Sequence, residues 1–122
     1  MIKKRNSLKG KKSFSLVFKE GRRIRGADIA IFSGNTAKWE KEGLIEAPSC
    51  PLIGFSVSKR CGKAHERNRI KRRLRAVVRE FLPCMRGNPV LIIKASDGIS
   101  KSDFSGIRTE FEYLARKNGI ID

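Results

Sequence analysis

Between Ala64 and Leu82 the chain reads AHERNRIKRRLRAVVREFL, and only one narrow side of that stretch can be buried. With Ile70 as origin and 100° per residue, Leu74, Val77, Val78 and Phe81 fall within a wedge of about 100°. Arg69, Lys71, Arg72, Arg73, Arg75 and Arg79 cover most of the remaining circumference. A helix of this kind cannot run through the middle of a core. It has to lie on one apolar layer and leave its basic side outside. Pro83 ends it within a few residues.

The layer is supplied by short segments of period two. Residues 27–33 place Ile29 and Ile31 on one face and Ala30 and Phe32 on the other. Residues 52–58 alternate Ile53, Phe55 and Val57 with Gly54, Ser56 and Ser58, and residues 89–95 form the apolar run of a central strand. A first helix starts near Ser13, carries Phe14, Val17 and Phe18 on one face, and stops at Gly21. A last helix starts near Ser102 or Asp103, with Phe104, Ile107, Phe111 and Leu114 inward and Gly119 past its end. The order α-β-β-α-β-α predicts an α+β fold, a two-layer α/β sandwich with room for one extra short strand near 22–26. Residues 34–50, with Gly34, Asn35, Gly43 and Pro48, read as a long hairpin loop, and residues 1–12 as a flexible basic N-terminus. The whole of 1–122 reads as a single domain.

Charge separates this surface from an ordinary solvated one. The formal net charge is +16, from 28 basic and 12 acidic residues. Residues 1–25 hold ten basic residues and one acid, residues 59–79 hold another ten and one, and the remainder has eight basic and ten acidic residues. The excess therefore sits in two blocks, as a docking surface for a polyanion requires. Arg67, Lys71, Arg75 and Arg79 follow one another at intervals of four, where like charges repel by ~0.2–0.5 kcal/mol per pair. Cations near a helix N-terminus are also disfavoured. Such an arrangement costs stability and points to a partner outside the domain. Arginine forks suit phosphate, and Asn68 on the same arc suits a phosphate or a 2′-hydroxyl. Structured RNA fits better than duplex DNA. Seven Arg or Lys in residues 67–79 leave little to read base edges, and no helix-turn-helix partner lies upstream.

Enzymatic constellations are absent. His65 has no dyad partner at a useful spacing, and Cys50, Cys61 and Cys84 form no C-x-x-C. Asp28 and Asp97 would bind a metal only if the fold brought further oxygens to them. No P-loop or dinucleotide fingerprint occurs. No apolar run approaches the ~18–20 residues of a membrane span, no signal-peptide core follows the basic N-terminus, and the cysteine count suits a reducing compartment, so a cytoplasmic location is expected. For Phe14, Phe18 and Phe32 two readings stay open: core packing, or a groove between helix and sheet where rings stack on unpaired bases. Gly54, Ser56 and Ser58 would leave such a groove open.

The stretch KRCGKAHERNRIKRRLR (59–75), with RNR at 67–69, resembles the signature of the bacterial ribonuclease P protein family. RNSLKGKKSFSLVFKEG (5–21) and GFSVSKR (54–60) are similar to that family's N-terminal segment and the strand before its signature helix. The resemblance implies a subunit of the ribonucleoprotein that removes 5′ leaders from precursor tRNA. In it the catalytic RNA hydrolyses the phosphodiester with Mg²⁺ held mainly by RNA, and the protein contributes no catalytic side chain and binds no metal tightly. It further implies contact with the catalytic RNA through Arg60, Arg67, Asn68, Arg69, Lys71, Arg72 and Arg75. The 5′ leader would lie in the groove at Phe14, Phe18 and Phe32. The implied sheet is small and mostly antiparallel, with a left-handed β-α-β crossover, and no protein partner or membrane is implied. Two features depart from the family: Arg73, at a position often apolar, and the longer 34–50 loop with Trp39. The alternatives are a ribosomal or chaperone-like RNA-binding protein without a role in cleavage, and a protein-only nuclease built on Asp28 and Asp97.

Overall fold

The computed structural model describes residues 4–45, 48–99 and 103–122, and its alternating apolar stretches pair into one four-stranded sheet. The strands are β1 (Arg22–Arg25), β2 (Ile29–Ser33), β3 (Leu52–Ser56) and β4 (Val90–Ala95). The helices are α1 (Lys11–Glu20), α2 (Thr36–Lys41), α3 (Ala64–Phe81) and α4 (Phe104–Lys117). The sheet order is β1-β2-β4-β3. β1–β2 and β2–β4 are antiparallel, whereas β3–β4 is parallel, so α3 is the crossover of a β-α-β unit. The extra strand expected near 22–26 is β1.

Each face of the sheet carries its own apolar cluster. Ile24, Ile29, Ile31, Ile53, Leu91 and Ile93 meet Ile70, Leu74, Val77, Val78 and Phe81 of α3 and Ile107, Phe111 and Leu114 of α4. This is the expected sandwich, with the predicted wedge of α3 wholly buried. On the opposite face Ala30, Phe32, Val90 and Ile92 pack with Leu8, Val17 and Trp39, so α1 and α2 add a partial further layer. Burial on both sides is why β4 reads as a continuous apolar run.

Four sequence expectations need correction. Residues 34–50 are not a hairpin loop. β3 does not return against β2, because β4 inserts between them, and the connection contains α2, capped by Asn35, whose Oδ1 accepts from the Lys38 amide at 3.1 Å. The flexible N-terminus is corrected for residues 4–12. Asn6 is buried and its Nδ2 donates to Pro51 O at 2.8 Å, and the Leu8 amide donates to Ile53 O at 2.9 Å. These bonds satisfy part of the outer edge of β3. Residues 1–3 lie outside the described residues. Ser13 does not cap α1, which begins two residues earlier after Gly10, and Phe104 is exposed at the first turn of α4. Of the two proposed starts of α4, Asp103 is its N-cap, accepting from the Gly106 amide at 2.7 Å, and Ser102 lies outside the described residues.

α4 is fastened at two points. The Glu110 carboxylate accepts from the amides of Asp28 and Ile29 at 3.0–3.1 Å, fixing the β1–β2 turn. Arg108 forks onto Glu80 of α3 with two bonds of 2.8 Å, and its guanidinium lies 5.1 Å from the Phe81 ring centroid. The hydrogen bond from Arg108 holds the Glu80 carboxyl below its ordinary pKa. A lowered folded-state pKa stabilises above the unfolded value, and that stabilisation is lost as pH falls through the folded one. The melting-temperature advantage of the native protein over Glu80→Gln is therefore expected to shrink as pH drops below the ordinary glutamate range. An advantage that does not change with pH would contradict this linkage.

Candidate nucleic-acid interface

Residues 59–75 are presented by a tight turn and the helix that follows it. Cys61 is buried, its thiol donating to Ser96 O at 3.5 Å, which anchors the Lys59–Cys61 turn beneath the exposed Arg60. Gly62 then adopts φ 134°, and a Cβ there would come within 2.8 Å of Glu66 Oε2, so a glycine is needed to start α3. Asn68, Arg69 and Arg72 are exposed along the outer arc, while Arg67, Lys71 and Arg75 are half-buried. Among the described residues no carboxylate forms an ion pair with Arg60, Arg67, Arg69, Lys71, Arg72 or Arg75. Arg67 Nε is buried with no hydrogen-bond partner. A buried donor left unpaired costs ~1–3 kcal/mol. The signal was present in the sequence: Arg67 falls at about 60° on the helical wheel, inside the apolar wedge.

The two basic blocks, distant in sequence, meet at the outer edge of β3. Lys71 and Arg75 line a cleft of about 200 Å³ with Phe14, Gly54 and Phe55, and the Arg75 guanidinium lies 5.9 Å from the Phe55 ring centroid. Farther along, Arg5 of the first block and Arg79 of the second line a cleft of about 370 Å³ with Asn6, Cys50 and Pro51. Neither cleft is lined by an acid. Positive charge from both blocks is thus focused on concave surfaces at one edge of the domain.

The three phenylalanines come together on the α1 side of the sheet. Phe18 is edge-on to Phe32 with centroids 4.8 Å apart, and Phe14 lies 6.4 Å from Phe18. Register explains the row: Arg23 on β1, Phe32 on β2, Ile92 on β4 and Gly54 on β3 are direct neighbours across the sheet. Gly54 does not leave open space, because a Cβ there would meet Phe14 Cζ at 2.5 Å; the ring occupies it. Phe18 is 37 % exposed and Phe32 only 8 %, so Phe18 is the ring offered to solvent and Phe32 its support. Arg23 was missed in the sequence. Its guanidinium lies 5.8 Å from the Phe32 centroid, and only the β1–β2 register reveals it.

The residues weighed for chemistry are scattered. His65 is exposed near the start of α3, and Cys50, Cys61 and Cys84 are free thiols. Among the described residues no three His, Cys, Asp or Glu side chains gather as a metal site. Among the described residues Asp28 and Asp97 belong to no such group, and the neighbouring Glu110 carboxylate is committed to the backbone of the turn. No helix among the described residues is long and apolar enough to cross a membrane.

The family model described as Ribonuclease P matches residues 2–119. The ribonuclease P protein component of Syntrophomonas wolfei is 29% identical over 99% of this chain and 93% of its own length. That of onion yellows phytoplasma is 33% identical over 98% of this chain and 79% of its own length. Among solved structures, the RNase P protein of Staphylococcus aureus superposes with TM-score 0.78 at 20% identity, covering 96% of this chain and 98% of that one. The protein from Thermotoga maritima gives TM-score 0.71 at 21% identity, covering 90% and 96%. At these identities the solved structures establish the fold.

Proposed function

Because this chain belongs to the Ribonuclease P family, we propose that it is the protein subunit of a tRNA 5′-processing ribonucleoprotein and binds two RNAs on two surfaces. α3 and the turn before it contact the catalytic RNA through Arg60, Arg67, Asn68, Arg69, Lys71, Arg72 and Arg75. The α1 side of the sheet receives the single-stranded 5′ leader of precursor tRNA at Phe18, with Phe14 and Phe32 behind it. The protein is accessory: the RNA subunit cleaves, with Mg²⁺ held mainly by RNA.

One observation carries this reading. Basic side chains that pair with no acid among the described residues converge on the outer edge of β3, where Phe14 leads from them to the exposed Phe18 ring. Arginines free of internal ion pairs can exchange counterions for phosphates, which gives affinity without demanding sequence. A ring such as Phe18 stacks on any base for ~1–3 kcal/mol, which suits a leader of variable sequence.

The two surfaces separate under mutation. Phe18→Ala is expected to weaken holoenzyme binding of leader-bearing tRNA by ~5–150-fold, the equivalent of one lost stack, and to leave affinity for RNase P RNA nearly intact. Arg69→Ala should do the reverse. Equilibrium binding of each variant to each RNA decides the matter, and equal losses of both affinities from both variants would contradict the two-surface reading. A protein that prefers ribosomal RNA and ignores the leader would instead belong with the chaperone-like alternative.

A further inference from the structure

α1 covers only part of its sheet face. Two residues beyond the row Arg23–Phe32–Ile92–Gly54 lies a second row on the same side, formed by Arg25, Ala30, Lys94 and Ser56. Ile92 is fully buried in the first row, whereas Lys94, next but one along the same strand, is exposed, as is Arg25. β4 is otherwise buried throughout, so a lysine at this position of a central strand marks where the cover ends. Ala30 in this row is small and buried, and Ser56 beside Lys94 is half-buried. Strands stand ~4.8 Å apart, so Arg25 and Lys94 flank Ala30 with backbones ~10 Å apart.

The two cations have nothing to neutralise them. Among the described residues neither pairs with an acid. Arg22 is the contrasting case: alternation turns it to the opposite face, where it donates to Asn118 Oδ1 at 2.9 Å. Asp28 and Asp97 sit in the turns beyond the ends of these strands and form no ion pair with either cation. Across the sheet the pattern is thus an aromatic row with a cationic row beside it. Stacking platforms paired with a basic track are how single-stranded nucleic acid is held, bases on the rings and phosphates along the charges.

We infer that Arg25 and Lys94 form a phosphate-gripping strip, which takes the backbone of the same leader whose bases stack at Phe18. The inference rests on the leader reading above and adds to it the residues that hold the leader's phosphates. The test uses holoenzyme reconstituted with native protein, with Arg25→Gln/Lys94→Gln, and with Phe18→Ala. Affinity is measured for precursor tRNA with its leader and for mature tRNA, over a range of salt. The double variant is expected to bind the leader-bearing substrate ~3–10-fold more weakly, since both contacts are solvent-exposed, and to bind mature tRNA unchanged. Its salt slope for the leader-bearing substrate should be shallower by ~1.4, from ~0.7 per lost single-strand phosphate contact. If the double variant keeps native affinity and slope while Phe18→Ala loses its leader preference, the strip is refuted and the leader reading stands. Equal losses with both substrates would also refute it, by placing the strip on the tRNA body or the catalytic RNA. If native holoenzyme does not distinguish leader-bearing from mature tRNA, the leader reading falls and the strip with it.

Discussion

Affinity for RNase P RNA is expected to fall by ~10³–10⁵ between about 50 and 200 mM salt, the drop that six to ten phosphate contacts produce. The charges responsible are Arg60, Arg67, Arg69, Lys71, Arg72 and Arg75, none of which forms an ion pair with a described carboxylate. They are not held by internal acids, so their counterions are free to be released when RNA replaces them. In a variant with Arg60, Arg69 and Arg72 changed to glutamine, the slope of log affinity against log salt should become shallower by ~2–3. These three side chains are exposed, and glutamine forms helix nearly as well as arginine. The same variant should melt no lower than the native protein, and at low salt higher. Arg69 and Arg72 are three apart on the helix and repel, so their removal relieves strain in the free protein while weakening its complex. A slope equal to the native one, or a loss of stability, would show that these arginines serve the fold.

Trp39→Ala is expected to destabilise the protein by ~3–5 kcal/mol, the usual cost of removing a large buried aromatic ring. Trp39 is 1 % exposed and packs so closely on Gly34 that a Cβ there would come within 2.4 Å of the indole. It joins Leu8, Val17, Phe32 and Ile92 in the smaller cluster, so its loss opens a cavity beneath the N-terminal segment and beside the support of Phe18. Chemical denaturation measures the effect directly. An alanine variant within ~0.5 kcal/mol of native stability would instead mark Trp39 as a surface residue of the kind a loop offers to RNA.

The contrast between those two regions shows what the sequence could carry. α3 was legible because eighteen residues give several full turns of a period, and its buried face matches the apolar wedge. β2 was legible for the same reason at period two, down to Ile29 and Ile31 on one side and Ala30 and Phe32 on the other. α2 was not: six residues span less than two turns, and the flanking Gly34, Asn35 and Gly43 signal a turn equally well. Nor does alternation along β3 tell which strand it will pair with. β2 comes earlier in the chain and β4 later, and the insertion of β4 between them is decided by packing across the whole sheet.

The candidate site divides along the same line. RNR at 67–69 and Phe14 and Phe18 announce themselves by motif and spacing, and the family match covers the segments that contain them. Arg23, Arg25 and Lys94 do not, because their meeting with the aromatic row is a matter of strand register between distant segments. The half-open groove was likewise only partly foreseen: Gly54 accommodates the Phe14 ring, and the uncovered part lies one row on, at the exposed Arg25 and Lys94.

In the proposed function this protein assists a catalytic RNA and cleaves nothing by itself. Reconstitution decides it: cleavage of leader-bearing precursor tRNA at low Mg²⁺ by the protein alone, by RNase P RNA alone, and by the two together. The expected result is no cleavage by the protein and strong stimulation of the RNA in the mixture. Cleavage by the protein alone, abolished by Asp28→Ala or Asp97→Ala, or a mixture no faster than the RNA by itself, would contradict it.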